Sequence, residues 1–177
     1  MNFTAQEYYY YDEETVDSYE FSLRTSSDDG QLHLTANGFY NNYDGYQAQS
    51  SSRFIINMDE AVTYGAELEA LYRPQSSLEI KAGLGLLKTD IKDAGVDYTA
   101  ATGNELNSAP EITASLSMKY WLNSDFNFGI GFKYVDEYYG DFENTDDRKA
   151  GNYTIARINA NYCLLYTSDA ADEEDSV

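Results

Sequence analysis

Glu67 and Glu69, two residues apart, are the arrangement in this sequence closest to acid–base machinery. Residues i and i+2 of a strand share a face, and paired carboxylates can carry proton transfer of the kind used in glycoside hydrolysis. Nothing else in the sequence completes such a site. His33 is the single histidine, so neither a Ser-His-Asp triad nor a His-rich zinc site can be assembled from this chain. Cys163 is the single cysteine, which excludes a disulfide framework and a Cys-rich metal centre. Asp136, Glu137, Asp141, Glu143, Asp146 and Asp147 crowd one segment and offer oxygen ligands to calcium. They lack the regular spacing of a calcium loop and read as solvated charge. The expectation is a protein that is not an enzyme, with no cofactor and no metal site.

Recognition is the better-supported chemistry. Tyr43, Tyr46 and Arg53 fall in one polar segment, Tyr98 in a second, and Tyr138, Tyr139 and Arg148 in a third. Aromatic faces stack on sugars or flat chelates, and a guanidinium grips a carboxylate with two hydrogen bonds. These seven residues are the candidate ligand contacts. The run Tyr8–Tyr11, followed by Asp12, Glu13 and Glu14, reads either as another vestibule loop or as the anchored end of a strand. The chain carries 31 acidic against 11 basic residues, a net charge of -20. That excludes a nucleic-acid partner, which requires a basic surface. Acidic loops also disfavour a strongly anionic ligand and leave glycans or neutral chelates open.

The elements that must position these residues alternate with period two. Tyr19, Phe21 and Leu23 alternate with Glu20, Ser22 and Arg24, and Leu32 through Tyr40 repeats the pattern with Phe39 as an exception. Similar runs cover 63–73, 78–86, 112–120, 126–134 and 154–162. That predicts about seven strands of roughly ten residues, the length a tilted strand needs to cross a bilayer. Short links at Ser26–Gly30, Pro74–Ser77 and Asn123–Asp125 alternate strictly with long ones at Asn42–Asp59, Asp90–Pro110 and Asp136–Gly151. All short turns then lie at one end and all long loops at the other, as in outer-membrane barrels. Aromatics collect at both strand ends: Tyr19, Tyr40, Tyr64, Tyr134 and Tyr153 at the long-loop end, Tyr72, Tyr120, Trp121 and Tyr162 at the other. Two such girdles are expected at the two membrane interfaces. A mean hydropathy of -0.58 is compatible with this, because a barrel strand shows lipid only every second residue.

The ordered segments then resemble a known family. EETVDSYEFSLR and GQLHLTANGFYNNYDGYQ within Asp12–Gln47, YGAELEALYRP at Tyr64–Pro74 and GNELNSAPEITASL at Gly103–Leu116 are similar to late barrel strands of TonB-dependent outer-membrane receptors. FKYVDEYYGDF and GNYTIARINANY resemble the hairpin that follows. The resemblance implies an all-β, antiparallel up-and-down meander forming a segment of a 22-stranded transmembrane β-barrel. It also implies uptake of a siderophore, corrinoid or glycan, an extracellular nutrient ligand, outer-membrane lipid around the wall, and the TonB complex acting through a plug that this sequence lacks. The expected location is the outer membrane of a Gram-negative cell.

Residues 1–162 are thus expected to be a partial barrel, and Cys163–Val177 a non-native tail that resembles translated sequencing adapter. A wall segment with two open edges is expected not to fold stably alone. Two alternatives remain open from sequence: a passive porin or adhesin barrel, and a soluble β-sandwich that binds carbohydrate.

Overall fold

The computed structural model describes residues 11–49 and 55–163. Its strands are β1 (Thr15–Ser26), β2 (Leu32–Gln49), β3 (Ile55–Gln75), β4 (Leu78–Asp93), β5 (Ile112–Trp121), β6 (Phe126–Val135), β7 (Tyr138–Tyr139), β8 (Lys149–Ala150) and β9 (Tyr153–Tyr162). Seven of them form one sheet in the order β1-β2-β3-β4-β5-β6-β9, while β7 and β8 make a separate two-stranded hairpin. Each neighbouring pair in the large sheet is antiparallel. This is the up-and-down meander anticipated from period two, and the barrel it belongs to is not closed within this chain. A β-sandwich requires two large sheets packed face to face, so the soluble-sandwich alternative is set aside.

Register sorts the side chains into two faces. One rung of the apolar face runs Leu23, Ala36, Leu68, Leu84 and Ala114, each directly opposite the next. The next rung toward the short turns continues through Leu34, Ala70, Ala82, Leu116, Phe132 and Ala156. The other face carries Glu67, Glu69, Lys81, Ser115, Ser117, Lys119, Lys133 and Arg157 in the intervening registers. Leu68 is 52% exposed and Ile158 80% exposed. An apolar face this large cannot remain in water without association, whereas in a bilayer it is the face that meets lipid.

The tyrosine ladder at the long-loop end is a direct cross-strand set. Tyr19 faces Tyr40 and Tyr40 faces Tyr64, whose rings stack with centroids 6.4 Å apart. At the short-turn end Tyr120 packs on Phe128 and Phe126 on Tyr162. Two girdle residues lie at the expected strand ends but on the other face. Trp121 pairs with Asn127, and Tyr153 with Val135, both in the polar-face register. Each lies beside a strand end, where a one-residue difference in phase selects the other face.

The short turn after β1 shows how local chemistry fixes the hairpin. Gly30 takes φ +69° and donates its N–H to the Ser27 carbonyl at 2.9 Å. The Asp29 carboxylate accepts hydrogen bonds from the Ser27 hydroxyl at 2.5 Å and from Gln31 N–H at 3.0 Å. These contacts hold the Asp29 carboxyl below its usual pKa.

The Asn42–Asp59 link, read as a long loop, is mostly strand. β2 and β3 remain paired from Asn42 with Val62 up to Gln49 with Ile55. The apolar phase changes above the tyrosine ladder: Tyr43, Ala61 and Ile91 share a rung of the opposite parity. Beyond Gly45, at φ +68°, burial passes to Tyr46 and Met58. A period-two pattern that switches phase twice reads as irregular in sequence.

Candidate functional site

The site is built where β2, β3 and β4 project past the tyrosine ladder. Ala48, Met58, Ala61 and Ile91 from these strands bury against Ala94, Ala101, Leu106 and Phe142 from the two following loops. Phe142 is 1% exposed although it sits amid Asp141 and Glu143. Burying one such ring contributes about 3 kcal/mol, enough to offset much of the ordering of a short loop segment.

Polar contacts then tie loop 94–111 to loop 136–152. Asn144 donates from Nδ2 to the Glu105 carbonyl at 2.9 Å and accepts from Glu105 N–H on Oδ1 at 2.8 Å. Asn104 Nδ2 donates to the Phe142 carbonyl at 3.0 Å, and Ser108 N–H to the Tyr139 carbonyl at 2.8 Å. Asn144 holds φ 54°, a conformation asparagine tolerates better than most residues. The expectation of solvated charge fails at Asp141. It is buried, accepts from Thr145 N–H at 3.0 Å and Oγ1 at 2.5 Å, and lies 3.7 Å from Arg148 Nε. A buried carboxylate persists because each of these groups satisfies it.

The predicted ligand contacts fall at different depths in this cap. Tyr43 and Tyr46 are half-buried, meet edge-to-face at 5.6 Å and pack against the apolar cluster. Tyr98 is 37% exposed and rests on Phe142 with ring centroids 5.7 Å apart. Tyr138 and Tyr139 form β7 opposite Ala150 and Lys149, and Lys149 Nζ lies 5.0 Å from the Tyr139 ring centroid while pairing with Glu137 at 2.7 Å. Arg148 is exposed and turned to Asp141. Arg53 lies outside the described residues, as do Tyr8–Tyr10 and residues 164–177. Tyr43, Tyr46 and Tyr98 are therefore brought to one cluster, and Tyr138, Tyr139 and Arg148 to the hairpin beside it. Phe142 was missed as an organiser, since one aromatic between acids gives no periodic signal. A shallow recess lined by Asp97, Tyr98, Thr99, Phe142 and Glu143 opens on this surface.

Beneath the cap, Glu67 and Glu69 sit exposed on the polar face opposite Gly85 and Gly83. His33 lies in the polar register, 2.8 Å from the Ser26 hydroxyl through Nδ1.

An ordered cap over one end of a meander, with one apolar and one polar face, is the geometry of a receptor barrel. The model of the TonB-dependent receptor-like β-barrel matches residues 2–165. The chain belongs to the TonB-dependent receptor family. Members of that family are outer-membrane β-barrel proteins.

Solved barrels share the fold. The ferric yersiniabactin uptake receptor FyuA from Yersinia pestis superposes with a TM-score of 0.71 at 20% identity, covering 84% of this chain and 22% of that one. The siderophore receptor PiuA from Acinetobacter baumannii gives 0.71 at 23% identity, over 85% and 22%. The FrpB iron transporter from Neisseria meningitidis gives 0.64 at 18% identity, over 86% and 24%. The chain thus spans under a quarter of the length of these receptors. In outer-membrane barrels a polar face lines the lumen, an apolar face meets lipid, and the long loops lie on the extracellular side.

Proposed function

We propose that the chain is part of the wall and extracellular cap of an outer-membrane receptor that imports a scarce nutrient, with energy delivered through TonB. The observation that carries this reading is the ordered two-loop cap at the long-loop end of a family-matched barrel wall. A passive channel needs a wide, wet mouth. A cap held by a buried Phe142 and reciprocal loop-to-loop hydrogen bonds instead presents a fixed surface.

A ferric siderophore is the favoured nutrient class, in keeping with the uptake named for FyuA and PiuA; a corrinoid or glycan is the second choice. Tyr98, Tyr138 and Tyr139 are the contacts we favour, because they stand at the surface of the cap or in the hairpin beside it. Tyr43 and Tyr46 support them from below, and Arg148 provides charge beside them. The reading places the chain in the outer membrane of a Gram-negative cell, in contact with lipid, and gives it no catalytic step.

The test is uptake of 55Fe-labelled siderophores by cells whose only receptor carries this segment, with and without functional TonB. TonB-dependent accumulation of at least one chelate is expected. Equal entry without TonB would assign a passive channel instead.

A further inference from the structure

The recess on the cap surface has a volume of about 230 Å³, and its walls come from Asp97, Tyr98, Thr99, Phe142 and Glu143. Its centre is aromatic. The Tyr98 and Phe142 rings meet at 87°, and Tyr98 keeps part of its surface open. Backbone contacts hold that ring in place. Gly95, at φ +76°, accepts from Tyr98 N–H at 3.3 Å and donates its own N–H to Asp93 Oδ1 at 2.9 Å. Ala94 N–H donates to Thr102 Oγ1 at 3.1 Å. Tyr98 then leads into the short turn Thr99–Ala101, its carbonyl accepting from Ala101 N–H at 2.8 Å. A ring fixed before contact loses little freedom on binding. Val96, next to Asp97 in the chain, is 90% exposed and adds apolar surface there.

The charge around this ring has one sign. Asp97 and Glu143 are exposed and form no ion pair among the described residues. The described cations of the cap loops and of the β4 stem are already taken: Lys88 by Glu111, Lys92 by Asp90, Arg148 by Asp141 and Lys149 by Glu137. A second recess at the same end is lined by Asp17, Asp44, Asp59, Glu60 and Asp93. The summed field attracts cations and repels anions. An aromatic ring flanked by carboxylates suits an organic cation. A bare metal ion fits less well, because no three His, Cys, Asp or Glu side chains converge as ligands among the described residues. The volume is also below the roughly 300–1,000 Å³ of sites that enclose a drug-sized molecule, so the recess takes one arm of a ligand. We infer that it binds an alkylammonium arm of the extracellular ligand, the cation resting on Tyr98 between Asp97 and Glu143. The cap thereby selects a ligand bearing a free amine or quaternary ammonium group over its neutral or anionic counterpart. The inference rests on the receptor reading above in taking the long-loop end as the ligand-facing end.

The test is equilibrium dialysis of the whole receptor carrying this segment, in non-ionic detergent, with radiolabelled choline as the cation and 3,3-dimethylbutan-1-ol as its neutral isostere. Saturable choline binding is expected, with the alcohol competing at least about tenfold more weakly. Asp97→Asn/Glu143→Gln is expected to lower choline affinity about tenfold, and Tyr98→Leu about threefold. Asp146→Asn/Asp147→Asn removes the same charge from the second loop outside the recess and is expected to change affinity by less than about twofold, because salt screens distant exposed charges. Absence of saturable choline binding, equal competition by the alcohol, or an equal loss from the Asp146/Asp147 variant overturns the inference. So does calcium binding that Asp97→Asn/Glu143→Gln abolishes while choline fails to bind, which would make the recess a metal site. Binding is read on purified receptor without transport. A receptor that imports nothing therefore still decides this question, and TonB-dependent uptake without choline binding would leave the receptor reading standing.

Discussion

The side chain of Asn144 and the backbone of Glu105 exchange two hydrogen bonds, 2.8 and 2.9 Å long, across 39 residues of sequence. The amide imitates a strand neighbour and joins two loops whose own regular structure is limited to one short turn in the first and one short turn with the β7–β8 hairpin in the second. Asn144→Ala should remove both bonds and strain the positive φ, costing about 2 kcal/mol locally. Hydrogen exchange at the Glu105 amide should then accelerate about 30-fold, while β3 and β4 amides stay protected. Asn144→Gly relieves the strain but not the lost bonds, so it should recover only part of the protection. Unchanged exchange in both variants would show that the loops are held by something else.

Phe142 is the apolar centre of the same cap. Phe142→Ala should cost about 3–5 kcal/mol of cap stability by opening a cavity among Met58, Ile91 and Leu106. Limited proteolysis should cut within 94–111 and 136–150, leaving the membrane strands intact. Cleavage equal to that of the parent would remove the cap from the account.

Phe39 breaks the alternation of β2, and its partner explains why. It stands directly opposite Gly65 on the lumen face, and a Cβ there would come 2.9 Å from the Phe39 Cζ and 2.1 Å from the Leu86 carbonyl oxygen. Gly65→Ala must therefore displace backbone. It should lower the temperature at which the receptor loses its heat-modifiable gel mobility, and Gly38→Ala, with only the Gly65 carbonyl at 3.9 Å, should shift it far less.

Burial raises the Tyr46 phenol above its ordinary pKa, and the Glu14 carboxylate adds to the effect. A group whose pKa is raised by folding contributes stability that is complete below its unfolded value, about 10 for tyrosine. That contribution disappears as pH rises through the folded value. Near-ultraviolet dichroism of the cap should therefore hold to mildly alkaline pH and fall above it, with Tyr46→Phe shifting the fall upward. A fall that Tyr46→Phe leaves in place would assign it to another group.

The wall was legible because one side chain in two had to be apolar over roughly ten residues. Leu68, Leu84 and Leu116 reveal their face without reference to any neighbour. The alternation of short and long links likewise placed all three short turns at one end. The cap was not legible, because its order depends on pairs such as Asn144 with Glu105 and Tyr98 with Phe142, distant in sequence and aperiodic. Asp141 counted as one solvated acid among several, since burial by Thr145 and Arg148 leaves no local mark. Trp121 and Tyr153 lie at the strand ends expected of them, but their face was not legible, because at a strand end residue type does not fix phase.

The central claim is that apolar-face residues such as Leu68, Leu84 and Phe132 meet lipid while Glu69, Lys133 and Arg157 meet the lumen. Single cysteines at these positions, in a Cys163→Ser receptor reconstituted in bilayers, can carry spin labels whose collision rates with oxygen and with a water-soluble nickel complex are compared. The account predicts oxygen-dominated relaxation at 68, 84 and 132, with nickel excluded there, and no such oxygen preference at 69, 133 and 157. Equal nickel access on both faces would contradict it and return the sheet to water.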